Sequence, residues 1–303
     1  MPACAFLSIS NTEGWFIDDD LVHPYLEELG WTVQNIPWNQ DTDWNRFDLV
    51  VIRSPWDYQN HLTEFLRVLY KINQSNAILL NSLELVHWNV NKSYLFELES
   101  KGVELVPTIK PSFLQLADIR NAFEVFQTDE LIVKPQIGAN ADDTFRIKKS
   151  DEASWTIVLP FFKNKVGMLQ PFMNSVVEEG EFSLMYFNGK LSHTILKTVG
   201  KGDFRVQEEH GGGVIPISKP EEGLLKAAEK AMAALPQPPF YARVDLVRTT
   251  KNTFALMELE LIEPCLYFRF DPDSPKVFAE LLDEFWRKNQ AHTNLPHATN
   301  HPS

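Results

Sequence analysis

The chain has 303 residues, 44% of them hydrophobic and 23% charged, the balance of an ordinary globular protein with room for two or three structural units. A formal net charge of −13 argues against a nucleic-acid backbone as the main partner, but not against nucleotides, for which a few lysines and a metal ion suffice. The start lacks a basic stretch, no apolar run reaches membrane-span length, and Cys4 and Cys265 show neither zinc nor disulfide spacing, so a cytoplasmic protein without a membrane partner is expected.

Residues 3–9 read as a buried strand, 19–29 as a helix ended by Gly30, 32–36 and 49–52 as short strands, and 61–73 as an amphipathic helix. This alternation predicts a small α/β unit with a parallel sheet, whose ligand groups lie in the loops after the strands. Arg53 directly follows a strand and precedes an aromatic, proline-containing turn, which makes it a candidate to hold a substrate carboxylate. A salt-bridged arginine that orders the loop is the alternative. Residues 82–100 are expected to form a helix carrying Lys92 near its beginning. A strand over 131–135 ends in Lys134-Pro135, a loop of small residues covers 136–144, and 145–147 return as a strand.

Another strand spans 166–172, and strands 181–187 and 190–197 flank Asn188-Gly189, the strongest hairpin signal present. Residues 200–214 read as flexible polar loop, 221–235 as an Ala-rich helix stopped by Pro236, and 274–288 as a closing helix. The biased segment 289–303 reads as a frayed end.

Between the last two helices lie two alternating strands, 241–247 and 254–262. Tyr241, Arg243, Asp245 and Val247 share one face of the first; Glu258 and Glu260 share a face of the second, with Ala255, Met257, Leu259 and Leu261 on the other. With Lys251 and Asn252 as the turn, Asp245 stands opposite Glu258, and Arg243 opposite Glu260. Three crowded carboxylates repel one another and are costly to desolvate without a cation. Hard oxygen donors suit Mg²⁺, which usually also binds substrate phosphates. A solvated acidic strand face is the plain alternative. No G-x-G-x-x-G follows the first strand and no G-x-x-x-x-G-K-[ST] occurs, so ATP, if bound, is bound in another way.

The order of these features resembles the ATP-grasp superfamily of carboxylate ligases, which includes glutathione synthetase, D-alanine–D-alanine ligase and the cyclo-ligase of cycloserine biosynthesis. The motifs that carry the likeness run from about residue 81 to 267: Lys92, the Lys134-Pro135 strand with its small-residue loop, Gln170-Pro171-Phe172, Glu181, and the final R-x-D and E-x-E strands. The resemblance implies an α+β chain with the ATP-grasp fold and an N-terminal α/β (pre-ATP-grasp, Rossmann-like) domain. Its divisions would be 1–85 for substrate binding, 86–168 as a lid-like central unit and 169–303 with the metal site.

By the same resemblance Lys92 and Lys134 contact ATP phosphates, Gln170, Pro171 and Phe172 form the adenine hinge, and Glu181 lies near the ribose. Lys197 is a third phosphate lysine, and Asp245, Glu258 and Glu260 are the ligands of Mg²⁺ or Mn²⁺. Glu260 departs from the asparagine usual in the D-alanine ligase branch, and the phosphate loop retains only Gly138. Asp142 and Asp143 there would repel phosphate unless they point away. Arg243 would steady the transferred phosphate, with Arg205 and Gly211-Gly212-Gly213 near the acyl site.

The implied reaction phosphorylates a small carboxylate with ATP, and an amine then attacks the acyl-phosphate. The alternatives are a nucleotide-binding regulatory protein without turnover, favoured by the glycine-poor loop, and an ATP-grasp kinase that does not ligate. His193 and His210 are single histidines without a catalytic partner. Trp56, Tyr58, Tyr267 and Arg269 join Arg53 as candidates to line a substrate-carboxylate pocket.

Overall fold

The computed structural model describes residues 1–293. Strand β1 (Ala3–Ser8), helix α1 (His23–Glu28), β2 (Thr32–Pro37), β3 (Leu49–Ser54), α2 (Leu62–Asn73) and β4 (Ile78–Leu80) come first. Their strands form a parallel sheet in the order β2-β1-β3-β4. β3 is buried along its whole length, as a central parallel strand covered on both faces should be. The helix expected over 19–29 is divided: Asp19–Val22 form a 3₁₀ turn, and α1 starts afresh with Pro24 in its first turn, where a missing N–H is harmless.

Two short helices follow, α3 (Leu83–Asn89) and α4 (Tyr94–Ser100), in place of one continuous helix over 82–100. Between them the Asn91 side chain accepts from the Ser93 backbone N–H and hydroxyl, a local bond that competes with helix continuation. Lys92 therefore sits in a turn, not inside a helix.

Next come α5 (Leu116–Phe126), β5 (Glu130–Pro135), β6 (Phe145–Lys148), α6 (Glu152–Val158) and β7 (Gly167–Pro171). They make a three-stranded antiparallel sheet, β6-β5-β7, packed on Ile119, Phe123 and Trp155 of the two helices. The expected division after residue 168 falls inside β7, which stays with this sheet.

The rest comprises α7 (Asn174–Glu178), β8 (Glu181–Phe187), β9 (Lys190–Thr198), β10 (Gly213–Pro216), α8 (Glu222–Ala233), β11 (Tyr241–Arg248), β12 (Phe254–Glu260) and α9 (Ser274–Thr293). These strands form an antiparallel sheet in the order β10-β9-β8-β11-β12. Asn188 and Gly189 both have positive φ and close the β8–β9 hairpin directly. The end of the region read as loop pairs instead with β9, as β10.

α9 returns to the first sheet, where Phe278 and Leu282 share a core with Phe6, Leu26 and Trp31. It continues through residues 289–293, which were expected to fray; the remainder of that segment, 294–303, lies outside the described residues.

Candidate active site

The site is built on β11 and β12. Arg243 pairs with Glu260 and Asp245 with Glu258, the register expected, but the route to it differs. Arg248 pairs with Phe254, which leaves residues 249–253 as the loop, with Asn252 at φ 60°. A bulge beyond Asp245 then absorbs one residue of β12 and restores the register at the acidic end. It also breaks the expected apolar face. Ala255 and Met257 pack with Val247, whereas Leu256 joins Leu259 and Leu261 in the core on the opposite side.

Each carboxylate of the hairpin is engaged by a cation. The Arg243 guanidinium donates to both Asp245 oxygens, through Nε at 3.0 and 3.1 Å and Nη2 at 3.0 Å, and also to Glu260. Lys197 Nζ lies 2.6 Å from Glu181 and 3.4 Å from Asp245. Lys92 Nζ lies 3.0 Å from Glu258 and donates to the Gly138 carbonyl at 2.6 Å. Ser183, opposite Asp245 on β8, donates its hydroxyl to Asp245 at 2.5 Å.

Burial alone would favour the neutral acids, and the cations decide otherwise for two of them. Burial raises Asp245, but Arg243 and Lys197 outweigh it and hold the carboxyl at about 2. Burial likewise opposes ionisation of Glu258, yet Lys92 and Lys134 bring it below its usual value. Glu260 goes the other way: burial, aided by Asp245 and Glu258 against Arg243, pushes it up to about 7. Burial also lowers Lys134, partly offset by Glu258.

Two cavities meet over Glu258 and Glu260, which line both together with Lys92 and Gly138. The first, about 850 Å³ including its mouth, holds Lys197, Arg243, Glu263, Trp56, Tyr58 and Tyr267 in its walls. The second, about 910 Å³ including its mouth, is lined by Lys134, Gln170, Pro171, Phe172, Glu181 and Arg205. Arg146 stacks 3.7 Å over the Phe172 ring, and Gln170 donates to Thr108 at 2.8 Å. Arg205 is held by Asp203 at 2.7 Å on the second cavity, apart from Arg243 and Lys197, and Gly211, Gly212 and Gly213 line neither.

Arg53 is not available to a substrate. It is 0% exposed, and its guanidinium bonds Asp19 at 2.9 Å and the Pro264 carbonyl at 2.8 Å. The strand that carries it is buried to its last residue, so the side chain is spent on internal partners. Arg269 lines neither cavity; it bonds Asp18 at 3.1 Å and also Glu208. His193 is buried against the Leu266 carbonyl at 3.0 Å, and burial lowers its pKa.

The loop over 136–144 turns its acids aside. Asp143 pairs with Lys165 at 2.5 Å, and Asp142 accepts from Gln59 at 3.0 Å. Asn140 donates to the Trp56 carbonyl at 3.0 Å, so the loop is joined to the first sheet's ligand loop.

Hard carboxylate oxygens, such as those of Glu258 and Glu260 in the walls of both cavities, are chemically suited to a divalent cation. Among the described residues, however, no three His, Cys, Asp or Glu groups stand close enough to hold an ion as they are. Asp245 lines neither cavity and is 2% exposed. Sequence reasoning missed Ser183, Trp15 and Glu263; for Glu263 the signal was a third acid three residues beyond Glu260, directly before Pro264.

A family model described as D-cycloserine synthetase DcsG, N-terminal domain, matches residues 4–81. The cycloserine biosynthesis protein DcsG of Streptomyces lavendulae is 31% identical over 283 residues, covering 88% of this chain and 94% of that protein. A crystal structure of D-cycloserine synthetase DcsG superposes with a TM-score of 0.83 at 28% identity, over 94% of this chain and 99% of that one. D-alanine–D-alanine ligase from Bacillus anthracis shares the fold at a TM-score of 0.67 and 13% identity, over 97% of this chain and 100% of that one. The ATP-grasp ligase PsnB, solved with a minimal precursor, Mg and ADP, has a TM-score of 0.63 at 10% identity, over 94% of this chain and 98% of that one.

Proposed function

The chain belongs to the family of the cycloserine biosynthesis protein DcsG, within the ATP-grasp carboxylate–amine ligases, and from that premise we propose how its cleft divides the work. ATP lies in the second cavity, with adenine at Gln170, Pro171 and Phe172 and the ribose near Glu181. Its phosphates run past Lys134 and Lys92 toward the first cavity, where the substrate carboxylate waits. The observation that carries this reading is that Glu258 and Glu260 line both cavities, so the acidic strand sits where phosphate must pass between them.

Glu258 and Glu260, which face both cavities, would hold Mg²⁺ or Mn²⁺, and Asp245 would join them by parting from Arg243 and Lys197. Such an ion neutralises phosphate charge and polarises the transferred group. Arg243 and Lys197 flank the carboxylate, steadying first the incoming phosphoryl group and then the oxyanion formed as the amine attacks. Closure of the 136–144 loop keeps water from the acyl-phosphate. The substrate is a small amino acid derivative, and the DcsG relatives point to ring closure, with carboxylate and amine on one molecule.

Release of ADP and phosphate, measured with Mg-ATP and a panel of small amino acid derivatives, tests the reading. Glu258→Gln is expected to abolish turnover while keeping the fold; a fully active variant would remove the metal assignment. A stable phosphorylated product without an amide would favour the kinase alternative.

A further inference from the structure

Glu263 is the buried carboxyl of the cleft that forms no ion pair among the described residues; Lys92, which acts on it from farther away, is paired with Glu258. Asp245 and Glu260 are paired with Arg243, Glu258 with Lys92, and Glu181 with Lys197. Glu263 is 9% exposed and lines the first cavity together with Tyr58, whose hydroxyl acts on its carboxyl. Its backbone is fixed from two sides. The Trp56 indole donates to the Glu263 carbonyl at 2.9 Å, and Arg53 donates to the next carbonyl, of Pro264, at 2.8 Å.

A buried carboxyl without a cation either keeps its proton or takes positive charge from a ligand. With no ligand, burial, aided by Glu260, pushes Glu263 up to about 8. The walls beside it are aromatic: the Trp15 and Trp56 rings lie 5.3 Å apart, and Tyr58 and Tyr267 line the same cavity. Aromatic faces together with a carboxylate are what recognises an ammonium group. Arg243 and Lys197, in the walls of the same cavity, offer the opposite charge.

We infer that Glu263 receives the ammonium of the substrate, so that the first cavity takes a zwitterionic amino acid with its ammonium at Glu263 and its carboxylate at Arg243 and Lys197. This rests on the ligase reading, which places the activated carboxylate in that cavity. The subsite orients the carboxylate toward the phosphates. It also rejects molecules that lack the amino group, because they leave a buried polar group unanswered.

The test is calorimetric binding to the full chain with Mg-ADP present. The probes are D-cycloserine, D-serine and D-alanine, each beside its counterpart without the amino group. At least one amino compound is expected to bind about tenfold or more tightly than its counterpart. That preference disappears in Glu263→Gln and is reduced in Glu263→Asp and Tyr58→Phe, with Mg-ADP affinity unchanged. No preference in the wild type for any pair overturns the inference. So does a preference that survives intact in Glu263→Gln or, should that variant not fold, in Glu263→Asp and Tyr58→Phe. A wild type that fails to bind Mg-ADP overturns the ligase reading itself, and this inference with it.

Discussion

Arg243 and Glu260 face each other across β11 and β12 and are ion-paired, while the same guanidinium holds both oxygens of Asp245. One cation thus compensates the half-buried Glu260 and shares with Lys197 the compensation of the buried Asp245. Arg243→Met is expected to cost about 3–5 kcal/mol in urea unfolding, because it removes one partner of a buried pair. Adding Glu260→Gln should recover part of that loss, since Asp245 keeps Lys197 and the acid left without its ion-pair partner goes with the substitution. Additive losses in the double variant would show that the pair is not coupled.

Arg53 gives a contrasting prediction. Its partners are Asp19 and a backbone carbonyl, and it touches neither cavity. Arg53→Met should therefore lower stability by about 3–5 kcal/mol, with Arg53→Met/Asp19→Asn less affected than the single variant. Affinity for Mg-ADP, measured at a temperature where the variant is folded, should stay at the wild-type value. A folded variant of undiminished stability would mean that the buried pair contributes nothing.

Much of the site was legible because alternation and hairpin chemistry are local. Asn188-Gly189 and the pairing of Asp245 with Glu258 follow from period-two patterning and turn residues. The β12 bulge was not legible, since a two-residue turn and a five-residue loop plus bulge give the same pairing at the acidic end. Arg53 was misjudged because its burial depends on Asp19 and Pro264, distant in sequence. Helix α5 escaped notice although Gln115 and Asp118 form a capping box and seven of its eleven residues are apolar, so the signals for it were present in the sequence. The partner of α9, the first sheet, lies at the other end of the chain and leaves no local trace.

Gly180 bears on the site through its backbone. Its φ is +131°, and an added Cβ would lie 2.5 Å from the carbonyl oxygen of Lys197, immediately beside the Glu181–Lys197 pair. Gly180→Ala is expected to destabilise by about 1–3 kcal/mol, from strain and displaced backbone. It should also weaken Mg-ADP binding, which calorimetry would read, because Glu181 moves with it. Unchanged unfolding would show that the strand yields without cost.

The loop that lacks glycines has another use for its side chains. Asn140 reaches the Trp56 carbonyl, and Trp56 in turn reaches Glu263, so the loop, the substrate wall and the segment just after β12 form one chain of contacts. Loss of the Asn140 bond in Asn140→Ala should cost about 1 kcal/mol of loop closure, about a fivefold shift toward the open form. ADP release should then exceed amide formation, because water reaches the acyl-phosphate. A ratio of one ADP per amide, as in a tightly closed enzyme, would exclude Asn140 from closure.

Glu263 also sets a pH dependence. In the folded chain, burial keeps its carboxyl protonated up to about 8. In the unfolded chain the carboxyl ionises at about 4.3. Between these values the folded chain holds a proton that the unfolded chain has released, so stability falls as pH rises, by up to about 1.4 kcal/mol per pH unit. Glu260, raised to about 7, contributes in the same direction over the lower part of the window, and it remains in a Glu263 variant. The comparison that isolates Glu263 is therefore the wild type against Glu263→Gln, both without ligand, by thermal unfolding at several pH values between about 5 and 8. Relative to the variant, the wild type should lose stability steadily across that range. A difference that does not change with pH would mean that Glu263 is already ionised in the folded chain, and that its charge is met by something other than a substrate ammonium.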